Sequence, residues 1–405
     1  MYYDYPLLWD WIEFALRWLH VITAIAWIGS SFYFIALDLG LRRPADLGPG
    51  VSGEEWQVHG GGFYHIQKYN VAPDRLPEHL IWFKWESYAT WLSGAALMAV
   101  VYYLGADLYL IDPDKLDVLP VQAIAISAAS IGVGWVLYDL LCKSKFGEDN
   151  TRLMIALYVI LVVLAWGYMQ IFSGRAAFLH LGALTATIMT ANVFFIIIPN
   201  QKIVVADMKA GRTPDPKYGK IAKQRSTHNN YLTLPVLFLM LSNHYPLAFA
   251  TEYAWMIAAL VFLMGVTIRH FFNTMHAGGG MLWWTWGATA GLFAVAVWLS
   301  TAPNVHATAA TLSPRAERLM DHPDFPLVAD IVIGNCSYCH GSEVAWPGLA
   351  GAPKGVILET EFEIATQARG IYLQSAKSHA MPPPGAGWLS PEDRALLAEW
   401  YESSR

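Results

Sequence analysis

Eight apolar runs, at roughly 12–35, 85–104, 119–141, 153–172, 177–199, 229–247, 253–272 and 282–300, dominate this chain. A bilayer's hydrocarbon core is about 30 Å thick, so a crossing helix needs about 20 such residues. Inside hydrocarbon each segment must satisfy its own backbone polar groups, and runs of this length do so as helices. The expected fold class is therefore all-α: a polytopic membrane bundle of eight helices, arranged as two four-helix repeats and fused to a small C-terminal domain. Composition agrees, with 55% hydrophobic residues, 14% charged residues and 18 Trp, which is too apolar for a soluble chain of this length. The net charge of -6 argues against nucleic acid as a partner. The first run does not read as a cleavable signal, since it is too long, lacks a basic leader and has Asp4, Asp10 and Glu13 at its start.

Loop charges orient the bundle. The connection after the first run carries Arg42, Arg43, Lys68, Arg75 and Lys84, and that after the third carries Lys143, Lys145 and Arg152. The connection after the fifth carries Lys202, Lys209, Arg212, Lys217, Lys220, Lys223 and Arg225. The opposite side has only Lys115 and Arg175 in its loops. Both termini are thus expected outside, in the periplasm of a bacterial inner (cytoplasmic) membrane. The bundle also looks duplicated: His20 and Phe34 match His180 and Phe194 at one constant offset, and Asp139 and His270 occupy corresponding positions.

Near the C-terminus the chain reads Cys336-Ser337-Tyr338-Cys339-His340, the Cys-x-x-Cys-His attachment signature of a c-type haem. Cys336 and Cys339 would form thioethers, and His340 would be one axial ligand of the haem iron. Met381, in Ala380-Met381-Pro382-Pro383-Pro384, is the expected second ligand. The competing reading is a Cys-x-x-Cys metal or redox pair; the adjacent His, the Met-Pro loop and flanking helices favour haem. A helix is expected over Phe325–Asn335. A last helix should start with Ser390 as N-cap and Pro391 at the first helical position, packing Leu396, Leu397 and Trp400 inward. These features predict a small all-α domain of about 80 residues. The expected divisions are 1–300 for the membrane bundle, 301–320 for a linker with Pro303 and Pro314, and 321–405 for a periplasmic cytochrome c domain. Cys142, the remaining cysteine, is expected to be inert at a helix end.

Ionisable residues inside a membrane are costly and mark function by default. Glu86, Asp139, His20, His180, His228 and His270 are such residues. Imidazole suits haem or metal. His20 with His180, and His228 with His270, are therefore candidate ligand pairs for a membrane haem b or a metal. Each histidine can equally be a hydrogen-bonded core residue. Glu86 and Asp139 are candidate proton acceptors, or else partners of Lys84 and Lys143. The loop His59-Gly60-Gly61-Gly62-Phe63-Tyr64-His65 is expected to be a lid or a flexible amphipathic loop.

Leu19-His20 followed by Ala26-Trp27-Ile28-Gly29, the His59–Phe63 loop, Trp82-Phe83-Lys84-Trp85-Glu86 and His228-Asn229-Asn230-Tyr231-Leu232-Thr233-Leu234-Pro235 carry a resemblance. Together with the terminal haem motif, they resemble bacterial membrane-bound, cytochrome c-linked urate oxidases, also called urate hydroxylases. The first-helix pattern also resembles membrane proteins that hold haem b through a helix 1 His. The resemblance implies oxidation of urate to 5-hydroxyisourate with water as oxygen source. Electrons would pass to the haem and then to an external acceptor of the respiratory chain, with no hydrogen peroxide. It assigns no catalytic residue. From the chemistry, a base is needed, and Glu86, His228 and Asp139 are the candidates. A cation such as Lys84 or Arg269 would hold the urate anion. A pocket on the inner side would need bridging membrane haems to reach an outer haem c. Two other classes remain: a non-enzymatic electron relay and an oxidase-like enzyme.

Overall fold

The computed structural model describes residues 5–73, 75–301, 312–349, 351–383 and 385–404. The chain divides into two compact units, Met1–Ala302 and Pro303–Arg405.

In the first unit every predicted run is helical. α1 is Tyr5–Gly40 and α2 is Trp85–Leu97, which continues into a π-helical turn, Met98–Tyr103. α3 is Pro120–Lys143 and α4 is Asn150–Ile171. α5, Gly174–Ala191, passes through a π-helical segment, Asn192–Ile197, into α6, Ile198–Lys209. α7 is Pro216–Leu241, α8 is Ala254–His276 and α9 is Trp284–Thr301. Five continuous helical stretches among the described residues are long and apolar enough to cross a membrane: Leu8–Gly40, Pro120–Lys143, Asn150–Ile171, Gly174–Lys209 and Ala254–His276. α7 is long but polar over its first half, and α2 is only 13 residues before its π turn. Asp4, at the expected start of the first run, lies outside the described residues.

The unit is apolar outside and polar inside. Trp18, Ile25, Leu137, Leu140, Val163 and Trp298 are exposed. Ser127, Asp139, His180, Asn192, Arg225, His228, Asn230 and Arg269 are buried. Hydrocarbon outside accounts for both: it welcomes the large apolar side chains and forces polar ones inward, where they bind helix to helix. α5 and α7 pack together at the centre, with α3, α4 and α8 against them. Close approach is set by small residues. A Cβ on Gly265 would come within 2.5 Å of Pro235 Cδ, so α8 touches α7 at the proline that interrupts its hydrogen-bond ladder.

Three expectations change. First, the glycine-rich loop is a two-stranded antiparallel hairpin, β1 (Val51–His59) and β2 (Gly62–Tyr69). Gly60 and Gly61 have φ of +60° and +78°, which is the tight two-residue turn that glycine allows at both centres. Trp56 stacks on His65 across the ladder at 4.1 Å, and Tyr33 of α1 donates to Gln57 at 2.8 Å. His65 hydrogen-bonds Glu54 at 2.7 Å and holds that carboxyl below the usual carboxylate range. Second, Lys202 and Lys209 lie on α6, and Lys217, Lys220, Lys223 and Arg225 lie on α7, so the expected loop after the fifth run shrinks to a short turn. Arg225 is 2% exposed and belongs to the interior. Third, the part of the expected linker from 312 onward folds with the second unit: Pro314 opens α10 (Pro314–Met320), and Arg315 donates to Ser404 at 3.1 Å. Residues 302–311, Pro303 included, lie outside the described residues.

The second unit comprises α10, α11 (Phe325–His340), α12 (Glu361–Thr366), α13 (Ala368–Ile371) and α14 (Pro391–Ser403). Ser390 caps α14 by accepting from the Asp393 amide, and the Asp393 carboxylate accepts from the Ser390 amide. Trp400, fully buried, stacks on Phe325 and donates to the Leu319 carbonyl at 2.9 Å. Leu397 is buried and Leu396 only partly so.

Gly265→Ala should overpack the α7–α8 contact and lower stability by about 1–3 kcal/mol, while Gly287→Ala, with no atom within 4 Å of its added Cβ, should be close to neutral. Thermal melting of the solubilised protein compares the two.

Candidate functional site

α7 carries polar residues on two flanks. On one flank Arg225, His228 and Asn229 face α3 and α5, as the three- and four-residue spacing requires. Arg225 donates from Nη2 to Asp139 Oδ1 at 2.6 Å and from Nη1 to Asn192 at 3.2 Å, and its guanidinium lies 5.0 Å from the centre of the Tyr138 ring. The second Asp139 oxygen is 2.6 Å from Lys143. Asn192 sits where α5 turns π-helical, a local change that often marks functional positions. Its amide donates to the Tyr138 hydroxyl and to Asn229, both at 3.0 Å. The Tyr138 hydroxyl is 2.7 Å from His228 Nδ1. His228 Nε2 and Arg225 Nε are buried without a partner among the described residues. The ring of His228 is thus held at one nitrogen and open at the other, the disposition a general base or a ligand requires.

On the other flank Asn230 meets α8. Arg269 donates from Nε to Asn230 Oδ1 at 3.2 Å and from Nη2 to Asn273 at 3.0 Å. Its guanidinium lies 4.1 Å from the centre of the Phe32 ring.

The other expected site residues are dispersed. His180 has both ring nitrogens engaged, with Ser127 at 2.6 Å and the Ala176 carbonyl at 2.7 Å, and it stacks on Phe172. It therefore does not fit as an axial ligand paired with His20. His20 bonds through Nδ1 to the Thr90 carbonyl at 3.0 Å and Ser93 at 3.1 Å. His270 of α8 lies against Trp284, whereas His228 of α7 is bonded to Tyr138. The corresponding positions Asp139 and His270 have unlike surroundings, one an ion pair and one an aromatic contact. Lys84 lies over Trp85, and Glu86 sits in the first turn of α2 with no ion-pair partner among the described residues. Asp139 is held by two cations, which suits a counter-ion better than a proton acceptor. Among the described residues no three His, Cys, Asp or Glu side chains converge as a metal-ion site.

In the second unit, α11 runs through the Cys-x-x-Cys-His motif to His340. His340 Nδ1 bonds the Val356 carbonyl at 2.9 Å. That bond fixes the ring and leaves Nε2 for a ligand, as in metal-binding histidines generally. Burial pushes the Cys336 thiol up to about 11, the reverse of the low value of a redox-active Cys-x-x-Cys pair. Met381 is tied through its backbone: its amide donates to the Gln374 carbonyl at 2.8 Å and its carbonyl accepts from Arg394 at 3.0 Å. Gly387 packs against Pro382 and the Asn335 carbonyl, so the Met381 loop lies on the turn of α11 that precedes Cys336. Pro384 lies outside the described residues. The donor set, two thiols and an oriented imidazole, fits a covalent haem.

A family model described as urate oxidase N-terminal matches residues 6–300. The chain belongs to this family. The match ends where the first compact unit ends, so urate-related oxidation is assigned to the helical bundle. Neither curated proteins nor solved structures give a match.

Arg225, Tyr138 and Asn192 were missed from sequence. The rule that buried charge needs opposite charge, applied to Asp139, would have drawn Arg225 in. Asp139→Asn should leave Arg225 buried and unpaired, costing about 3–5 kcal/mol. Adding Arg225→Gln to it should restore part of that loss. A double-mutant cycle on melting temperature measures the coupling.

Proposed function

We propose that this chain is a membrane-bound urate oxidase that converts urate to 5-hydroxyisourate and delivers the electrons to a c-type haem in its own second unit. Urate and water give 5-hydroxyisourate, two protons and two electrons; dioxygen is not consumed and no hydrogen peroxide forms. The carrying observation is the joining, in one chain, of the family match over 6–300 to a Cys-x-x-Cys-His helix whose His340 is oriented through Nδ1. Cys336 and Cys339 would hold the haem covalently, and His340 Nε2 and the Met381 sulfur would bind its iron. When bound, the haem supplies a one-electron acceptor, so turnover takes two transfers and an external one-electron acceptor of the respiratory chain.

His228 is the base this geometry favours. In the tautomer whose Nδ1–H donates to the Tyr138 oxygen, Nε2 carries the lone pair that takes a proton from urate or from the water that adds at C5. Arg225, neutralised by Asp139, keeps the Tyr138–His228 pair in place. Eight spans, with both termini in the periplasm of a bacterial inner membrane, complete the proposal. The loop charges support this side even without Arg225, since Arg42, Arg43, Lys143, Lys145, Lys220 and Lys223 still oppose only Lys115 and Arg175.

Urate added without oxygen to the purified protein should reduce the c haem, and water labelled with heavy oxygen should label the product. Reduction that occurs only after a partner dehydrogenase is added would replace the enzyme with an electron relay. Met381→Ala should change the haem spectrum and lower its potential with the haem still attached; an unaltered spectrum would remove Met381 as ligand.

A further inference from the structure

Two arginines are buried in the helical bundle among the described residues, and only one of them has a counter-ion there. Arg225 is paired with Asp139. Arg269, 5% exposed, has no carboxylate at ion-pair distance among the described residues. Its immediate partners, Asn230 and Asn273, are neutral, and Phe32 covers one face. A guanidinium does not lose its proton under these conditions, so burial without an anion is strongly unfavourable. We propose that Arg269, with Asn230, binds the urate anion, and that the cleft between α1, the hairpin and the end of α8 is its entrance. This rests on the urate oxidation proposed above and assigns its binding residues.

The free donors match a flat anion. Asn230 and Asn273 accept from Arg269 Nε and Nη2, which locks the plane of the guanidinium and leaves Nη1 without a hydrogen bond among the described residues. Asn273 also donates to the same Asn230 oxygen at 2.9 Å, fixing that amide. Asn230 Nδ2 is consequently turned away from the arginine; it is buried without a partner in a residue 1% exposed. A planar anion with adjacent oxygen and nitrogen acceptors, such as urate, satisfies both donors and supplies the missing charge. Phe32 offers an apolar wall beside it.

Access runs along α8. Residues 269, 273 and 276 recur at four and seven residues, on one helix face, and His276 is about 10 Å beyond Arg269 at 1.5 Å per residue. His276 lines a cleft of about 910 Å³ with Tyr33 and Leu37 of α1 and with Arg42 and Arg43. His276 Nδ1 is itself buried without a partner. The cleft also holds the carboxylates of Glu54, bonded to His65, and Glu55, which accepts from Gln57, beside Arg42 and Arg43.

The full-length haem-loaded protein, in nanodiscs of neutral phosphatidylcholine, is titrated with urate for binding and assayed for turnover. Arg269→Gln should weaken urate binding and raise KM by roughly tenfold or more, the scale of one lost charge-assisted hydrogen bond. The haem spectrum should not change. Asn230→Asp provides the second variant: its carboxylate would neutralise Arg269 from within, so melting temperature should rise while urate binding is lost. A purely structural Arg269 would give the same rise with urate KM intact, and that result overturns the proposal. So does suppression of urate binding by phosphatidylglycerol nanodiscs together with an unchanged KM in Arg269→Gln, which would make a lipid phosphate the counter-ion. Wild-type protein that neither binds nor oxidises urate overturns the parent function as well, whereas wild-type turnover with unaffected variants overturns only this site.

Discussion

The ion pair between Asp139 of α3 and Arg225 of α7 is the contact on which the interior of the bundle depends. It joins two helices across 86 residues of sequence, with the Arg225 side chain 3% exposed. Isolated, each charge would cost several kcal/mol; paired, and extended through Asn192, Tyr138 and Asn229, they form a network in which only Arg225 Nε and His228 Nε2 find no partner among the described residues. That network supports a single orientation of α7. Since His228 hangs from the same network by Tyr138, the orientation of the candidate base follows from the pair.

Arg269 shows the same physics with a missing element. The asparagines around it align the guanidinium without neutralising it, and the free amide of Asn230 faces the same shortfall. A folded chain tolerates such a deficit where a ligand completes it. The contrast between the two arginines separates structure from binding more sharply than the histidines do. His180, for instance, is fully satisfied by Ser127 and Ala176 and stacks in the core.

The second unit solves a different problem. A covalent prosthetic group needs two thiols on one helix and an imidazole directed by its other nitrogen. α11 and the Val356 carbonyl supply these. The Met381 loop is anchored by Arg394 through the Met381 and Ser375 carbonyls, which frees the methionine side chain from any role in holding the loop.

Local pattern determined the apolar helical runs and the Ser390 cap from sequence alone. Each depends on residues within a few positions of one another. The hairpin was missed because His59–Phe63 read as glycine-rich flexibility, whereas the ladder and the Trp56–His65 stack set its conformation. Arg225 reads as a loop cation in sequence because charge usually ends a span; only the tertiary fold brings it to Asp139. Likewise, the histidines looked alike in sequence, and tertiary contacts alone separated His180, with both nitrogens bonded, from His228, with one open. Periodicity tells which face a residue occupies, but hydrogen-bond partners contributed by other helices decide whether a buried polar atom is satisfied or left for a ligand.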